Sequence, residues 1–143
     1  MIREANSGAI IDASVAVKWV VEEKLSDAAR LLAGWSLHAP DLLYIECGNI
    51  LWKKAVKGDL TLAQASRALK EFQTSPVAIT ASGPLLERAL VLAGALRHPV
   101  YDCIYLALAA ERKMPLVTAD ERLARVVARA NLARVEVRRL DEL

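Results

Sequence analysis

Four acidic residues stand in unusually apolar company. Asp12 follows the run Ala9-Ile10-Ile11, and Glu46 is set among Leu43, Tyr44, Ile45 and Cys47. Asp102 is the only residue charged at neutral pH between Tyr101 and Ala110, and Asp120 comes just after Leu116-Val117-Thr118. A carboxylate in such surroundings costs free energy unless it is paired or coordinated. Two carboxylates about 5 Å apart repel by roughly 3 kcal/mol at an effective dielectric near 20, so four that converge must take up protons or bind a cation. With only hard oxygen donors in the set, that cation is Mg²⁺ or Mn²⁺ rather than zinc. Each acid taken singly has a plainer use. Asp102 suits the first turn of a helix, Asp120 suits an N-cap, and Glu46 could pair with Lys53 on its own helical face. Convergence on one rim decides between these readings.

The elements that would position the acids alternate along the chain. Short apolar runs at Ala9-Ile10-Ile11, Leu37-His38-Ala39, Val77-Ala78-Ile79 and Leu116-Val117-Thr118 read as strands, and Val135-Glu136-Val137 reads as a final edge strand. Between them the spacing predicts several helices. One is a buried continuation over Val15 to Val21, and a second runs from Ser26 as cap to about Ala33, stopped by Gly34. Longer ones run from Asp41 to Gly58, from Thr61 to about Phe72, from Ser82 and Pro84 to Leu96, and over Tyr101 to Ala110. This alternation implies an α/β fold with a mainly parallel sheet covered by helices on its faces. In such folds the carboxyl ends of the strands and the amino ends of the following helices share one edge, where ligands bind. Asp12, Asp102 and Asp120 fall on that edge, and Glu46, early in the helix after the second strand, can reach it.

A chain of 143 residues suits one domain, here 9–143 behind a loose polar tail over 1–8. Apolar residues reach 55% but lie in short blocks, so no membrane span is expected. The N-terminus lacks a secretory pattern, so a cytoplasmic location is expected. Cys47 and Cys103 have no paired spacing and are expected to be small buried hydrophobes. His38 and His98 lie near prolines in expected loops, where neither is an obvious partner for a nucleophile. The net charge of +2 is too small for bulk attraction to nucleic acid.

No GxSxG elbow, glycine-rich phosphate loop or histidine pair is present, so metal-assisted hydrolysis of a phosphodiester fits the acids best. Ser14 and Thr118, both beside the rim, could hold a water or orient a ligand carboxylate, although capping is the plainer use of each; Ser14 is placed to cap the first helix.

The segments IIDASVAVKWV, APDLLYIECGNILWKK, YDCIYLALAA and LVTAD, in that order, resemble a PIN domain of the VapC toxin family. The resemblance covers roughly Ile10 to Arg125. It implies a PIN-like three-layer α/β/α sandwich with a mainly parallel five-stranded sheet, and a Mg²⁺- or Mn²⁺-dependent endoribonuclease that acts on RNA as a homodimer. It also implies a toxin neutralised by a VapB-type antitoxin. By the same resemblance Asp12, Glu46, Asp102 and Asp120 form the catalytic and metal-binding quartet, with Asp12 and Asp102 as direct ligands. Thr118 matches the hydroxyl of the last motif and Asn49 a polar residue supporting Glu46. An antitoxin peptide is expected over the active-site groove, with the exposed apolar residues near Trp19, Trp35 and Trp52 as candidates to meet it, although core packing is the plainer use of each tryptophan. The competing reading is a non-catalytic PIN-like RNA- or protein-binding module, which would be expected to have lost one of the acids.

Overall fold

A computed structural model describes residues 8–132 and 134–143. Five strands form one wholly parallel sheet: β1 (Gly8–Ile11), β2 (Ser36–Pro40), β3 (Val77–Thr80), β4 (Leu116–Thr118) and β5 (Val137–Arg139), in the spatial order β3-β2-β1-β4-β5. The central strands are apolar throughout because helices cover both their faces: Ile10, Ile11, Leu116 and Val117 are all fully buried. The edge strands β3 and β5 are only partly buried and carry the polar residues Thr80, Arg138 and Arg139.

Among the described residues seven helices accompany the sheet: α1 (Ala13–Ala16), α2 (Ser26–Arg30), α3 (Leu42–Lys57), α4 (Leu62–Gln73), α5 (Leu86–Leu96), α6 (Val100–Arg112) and α7 (Glu121–Ala130). Right-handed crossovers put α1 to α4 on one face, as the chain steps from β1 outward to β3, and α5 to α7 on the other, as it returns to β4 and steps out to β5. Packing of α3 on α4 and of α5 on α6 and α7 agrees with that division. Among the helices of ten residues or more α6 is the most enclosed. Its residues Cys103 to Ala109 are all buried, and it lies against β1 and β2.

Local chemistry sets several boundaries. Gly58 ends α3 in the left-handed region, at φ 87°, where a side chain would be strained. Gly8, assigned to the tail, is instead the first residue of β1, paired with Ser36, and a Cβ there would come within 2.9 Å of Met114 Cε. The rest of that tail, residues 1–7, lies outside the described residues. Thr61 caps α4, as the sequence suggests, and Gln64 completes a reciprocal capping box there.

Other expectations are corrected. The helix expected over Val15 to Val21 ends at Ala16 and tightens into a 3-10 turn, Val17–Trp19. Ser26 does not cap α2, which stops at Arg30. Its hydroxyl donates to the Val21 carbonyl and accepts from the Glu23 amide, so it ties down the preceding loop instead. Ser82 likewise turns its hydroxyl to Asp41, at 2.5 Å, and a 3-10 turn over Gly83–Leu85 precedes α5. The last strand is two residues later than expected, because Leu116, Val117 and Thr118 pair with Val137, Arg138 and Arg139. His38 lies within β2, as the strand expected over Leu37-His38-Ala39 requires, and not in a loop.

Candidate functional site

The strand order changes direction between β1 and β4, since β1 leads on to β2 on one side and β4 leads on to β5 on the other. A crevice opens at the carboxyl end of such a switch point. Here it is a cleft of about 490 Å³. All four acids line it: Asp12 at the end of β1, Glu46 in the second turn of α3, Asp102 in the first turn of α6, and Asp120 between β4 and α7. Ser14 and Asn49 line it too, and Leu42, Ile45, Ile50 and Tyr101 give it apolar walls. Thr118 lies fully buried directly behind it.

Each carboxylate has its own internal partner. The register that sets Ile11 against Val117 brings Thr118 to Asp12, and the Thr118 hydroxyl donates to Oδ2 at 2.5 Å. Ser14 donates to Oδ1, also at 2.5 Å. Both hydroxyls in turn accept backbone N–H groups, Ser14 from Ala119 and Thr118 from Asp120, each at 2.9 Å. Ser14 is therefore not the cap of α1; with Thr118 it joins the ends of β1 and β4 around the Asp12 carboxylate. Asp120 caps α7 by accepting the Leu123 amide at Oδ1, 3.1 Å away.

Glu46 makes no ion pair with Lys53. Its Oε1 accepts instead from the Tyr105 hydroxyl of α6, at 2.7 Å. Asp102 Oδ2 lies 2.6 Å from His98 Nε2 in the turn before α6. Neither Tyr105 nor His98 was expected to act here, and both could have been sought. A tyrosine buried in an apolar helix needs a hydrogen-bond partner, as does a glutamate buried in another. His98 lies four residues ahead of Asp102, although Pro99 interrupts the helical spacing.

The electrostatics follow from these contacts. Burial raises the Asp12 pKa to about 6, with a contribution from the nearby Asp102 charge, against the lowering effect of the two hydroxyls. Burial also raises that of Glu46, again with help from Asp102 and against the Tyr105 hydrogen bond. Among the described residues no lysine or arginine forms an ion pair with any of the four. Burial pushes the Cys47 thiol up to about 12 and the Cys103 thiol to about 11, so both stay protonated at neutral pH, as small buried hydrophobes should.

Among the described residues no three acid, histidine or cysteine side chains close into a ready cage. An open oxygen set of this kind fits Mg²⁺, which keeps several waters and binds through one or two carboxylates. Asp102 Oδ1, Glu46 Oε2 and Asp120 Oδ2 make no hydrogen bond among the described residues, so three carboxylates each keep one oxygen free.

A parallel sheet in this order, with an acidic cleft at its switch point, is the architecture of a PIN domain, and the PIN domain family model matches residues 9–129. The chain belongs to that family. Its curated relatives include Ribonuclease VapC3 of Pyrobaculum aerophilum, 36% identical over 121 residues that cover 80% of this chain and 91% of the relative. Ribonuclease VapC3 of Mycobacterium tuberculosis is 32% identical over 118 residues, which cover 81% and 85% respectively. Among solved structures, PAE2754 from Pyrobaculum aerophilum superposes with a TM-score of 0.69 at 25% identity, covering 96% of this chain and 86% of that one. VapBC2 from Rickettsia felis, bound to a DNA fragment from its promoter, shares the fold at a TM-score of 0.61 and 14% identity, covering 92% and 98%.

Proposed function

We propose that this protein is a metal-dependent endoribonuclease, the toxin of a VapBC-type toxin–antitoxin module, working in the cytoplasm on RNA. The observation that carries the reading is a set of four carboxylates lining one cleft with no lysine or arginine paired to any of them among the described residues. The names of the VapC relatives support the ribonuclease activity. Asp12, Glu46, Asp102 and Asp120 are assigned to hold Mg²⁺ or Mn²⁺, with Asp12 and Asp102 as direct ligands. Such an ion supplies a Lewis acid for the phosphodiester oxygens and lowers the pKa of an attacking water.

The chain's own groups do the positioning. Ser14 and Thr118 fix both oxygens of Asp12, the helix-capping bond fixes Asp120, and Asn49 lies one turn along α3 from Glu46, where its amide can meet a ligand. Hydrolysis joins a water oxygen to phosphorus as the bond from phosphorus to the 3′ oxygen breaks, which leaves 5′-phosphate and 3′-hydroxyl ends.

Two protein partners belong to this reading. A VapB-type antitoxin is assigned to the groove of about 450 Å³ lined by Trp19, Trp35, Phe72 and Val77. A second copy of the chain is assigned to the outer face of α5, where Leu86, Leu90 and Val91 are exposed.

The test is cleavage of a structured RNA pool by purified protein with Mn²⁺, with Mg²⁺ and with chelator, beside the Asp102→Asn variant. Cutting should require the metal, and the variant should lose more than about 100-fold, beyond what loss of an outer hydrogen-bond partner costs. Equal cutting by wild type and variant would refute the reading.

A further inference from the structure

We propose that His98 is a positioning residue for the metal site: its imidazole holds one oxygen of Asp102 so that the other is presented to the cation. The inference rests on the proposed function, since it concerns a ligand assigned there. His98 is itself fixed from several directions. Its backbone N–H donates to the Ala93 carbonyl at 3.2 Å, and its own carbonyl lies 3.9 Å from the Cys103 thiol as acceptor. Arg97 before it is left-handed, at φ 54°, and Pro99 after it is the N-cap of α6, at φ −55°. The connection between α5 and α6 therefore offers the ring little freedom.

The two partners differ in their access to solvent. The His98 side chain is 6% exposed, whereas that of Asp102 is 29% exposed and lines the cleft. In the proposed role Nε2 donates and the carboxylate oxygen accepts. With Oδ2 engaged at 2.6 Å, the carboxylate is held near one orientation, and Oδ1 has no partner among the described residues. A histidine that orients a metal-binding carboxylate from behind inverts the familiar carboxylate–histidine–metal arrangement and does the same work, since it removes competing rotamers before the ion arrives.

The experiment is calorimetric titration of the full chain with Mn²⁺ alone, for wild type, Asp102→Asn, His98→Leu and His98→Gln, with the Tm of each. Leucine fills the space without donating, whereas the glutamine amide can donate from nearly the same place. His98→Leu should weaken Mn²⁺ binding roughly 10- to 100-fold, the range for loss of an outer partner, and His98→Gln should recover most of it. Wild-type affinity in a folded His98→Leu, with Asp102→Asn impaired, overturns the positioning role and leaves the proposed function standing. Failure of the wild type to bind Mn²⁺ overturns both.

If His98→Leu does not fold, the wild type decides. In imidazole ¹H–¹⁵N spectra Nε2 should remain the protonated nitrogen in metal-free and in Mg²⁺-saturated protein. An unprotonated Nε2 in the saturated protein would overturn the role.

Discussion

Glu23 and Asp12 are two carboxylates withdrawn from water by the same fold, and the fold treats them in opposite ways. Glu23 sits between two lysines, with Lys18 Nζ 2.8 Å from Oε2 and Lys54 Nζ 2.6 Å from Oε1. Burial works against its charge, but the hydrogen bonds and charges of the lysines outweigh burial and lower its pKa. The cluster ties the loop after the Val17–Trp19 turn to α3, and Lys18 can be buried because of it. Among the described residues Asp12 receives neutral donors, the Ser14 and Thr118 hydroxyls among them, and no lysine or arginine, and burial raises its pKa to about 6. Among the described residues this chain thus neutralises a partly buried carboxylate with its own lysines at Glu23, and does not do so at the cleft. There the negative charge is left for something from outside.

The largest effect that should separate the two regions comes from neutralising Asp12. In metal-free protein its folded pKa lies near 6 against an ordinary 3.8, so folding favours the protonated form. That contribution is fully present below pH 3.8 and is lost as pH rises through about 6, a difference of about 3 kcal/mol between the two ends of the window. Asp12→Asn should therefore raise the unfolding free energy at pH 8 by about 1 to 3 kcal/mol and change it little at pH 4, as read from urea denaturation in chelator. A loss of stability at pH 8 would erase the contrast.

Glu23→Gln should act in the opposite direction and less strongly. It leaves two lysines facing a neutral amide, and because Glu23 is partly exposed the cost should be about 1 to 2 kcal/mol at neutral pH, below that of breaking a fully buried pair. The variant should keep its affinity for Mn²⁺, which a titration would check. Weakened binding would mean that the two regions are coupled and that the lysine cluster supports the cleft.

Much of this arrangement is legible in the sequence because it depends on local pattern. The short apolar runs around Ile10 and Val117 become the central strands, since a strand covered on both faces needs no polar alternation. Once those strands are parallel, Asp12 and Asp120 must share an edge, and the cleft contains all four nominated acids. Features set by distant contacts are harder to read. The register of β5 is fixed by pairing with β4, which moves it from Val135 to Val137 at its start. Ser14, Ser26 and Ser82 all stand where a helix cap would be expected, but each finds a better partner across a turn or across the fold. His98 escapes notice for a related reason. The left-handed Arg97 and the break at Pro99 bring it onto Asp102 without any helical periodicity between them.

The most direct test of the central claim, that the cleft keeps its charge for a cation, is the Tm of the wild type at pH 8 as Mn²⁺ is added, beside Asp12→Asn. An ion that binds only the folded state stabilises it by mass action, so the wild-type Tm should climb with Mn²⁺ concentration. The variant, already relieved of the charge, should start higher and climb little. An unmoved wild-type Tm, or the same climb in both proteins, would contradict the account.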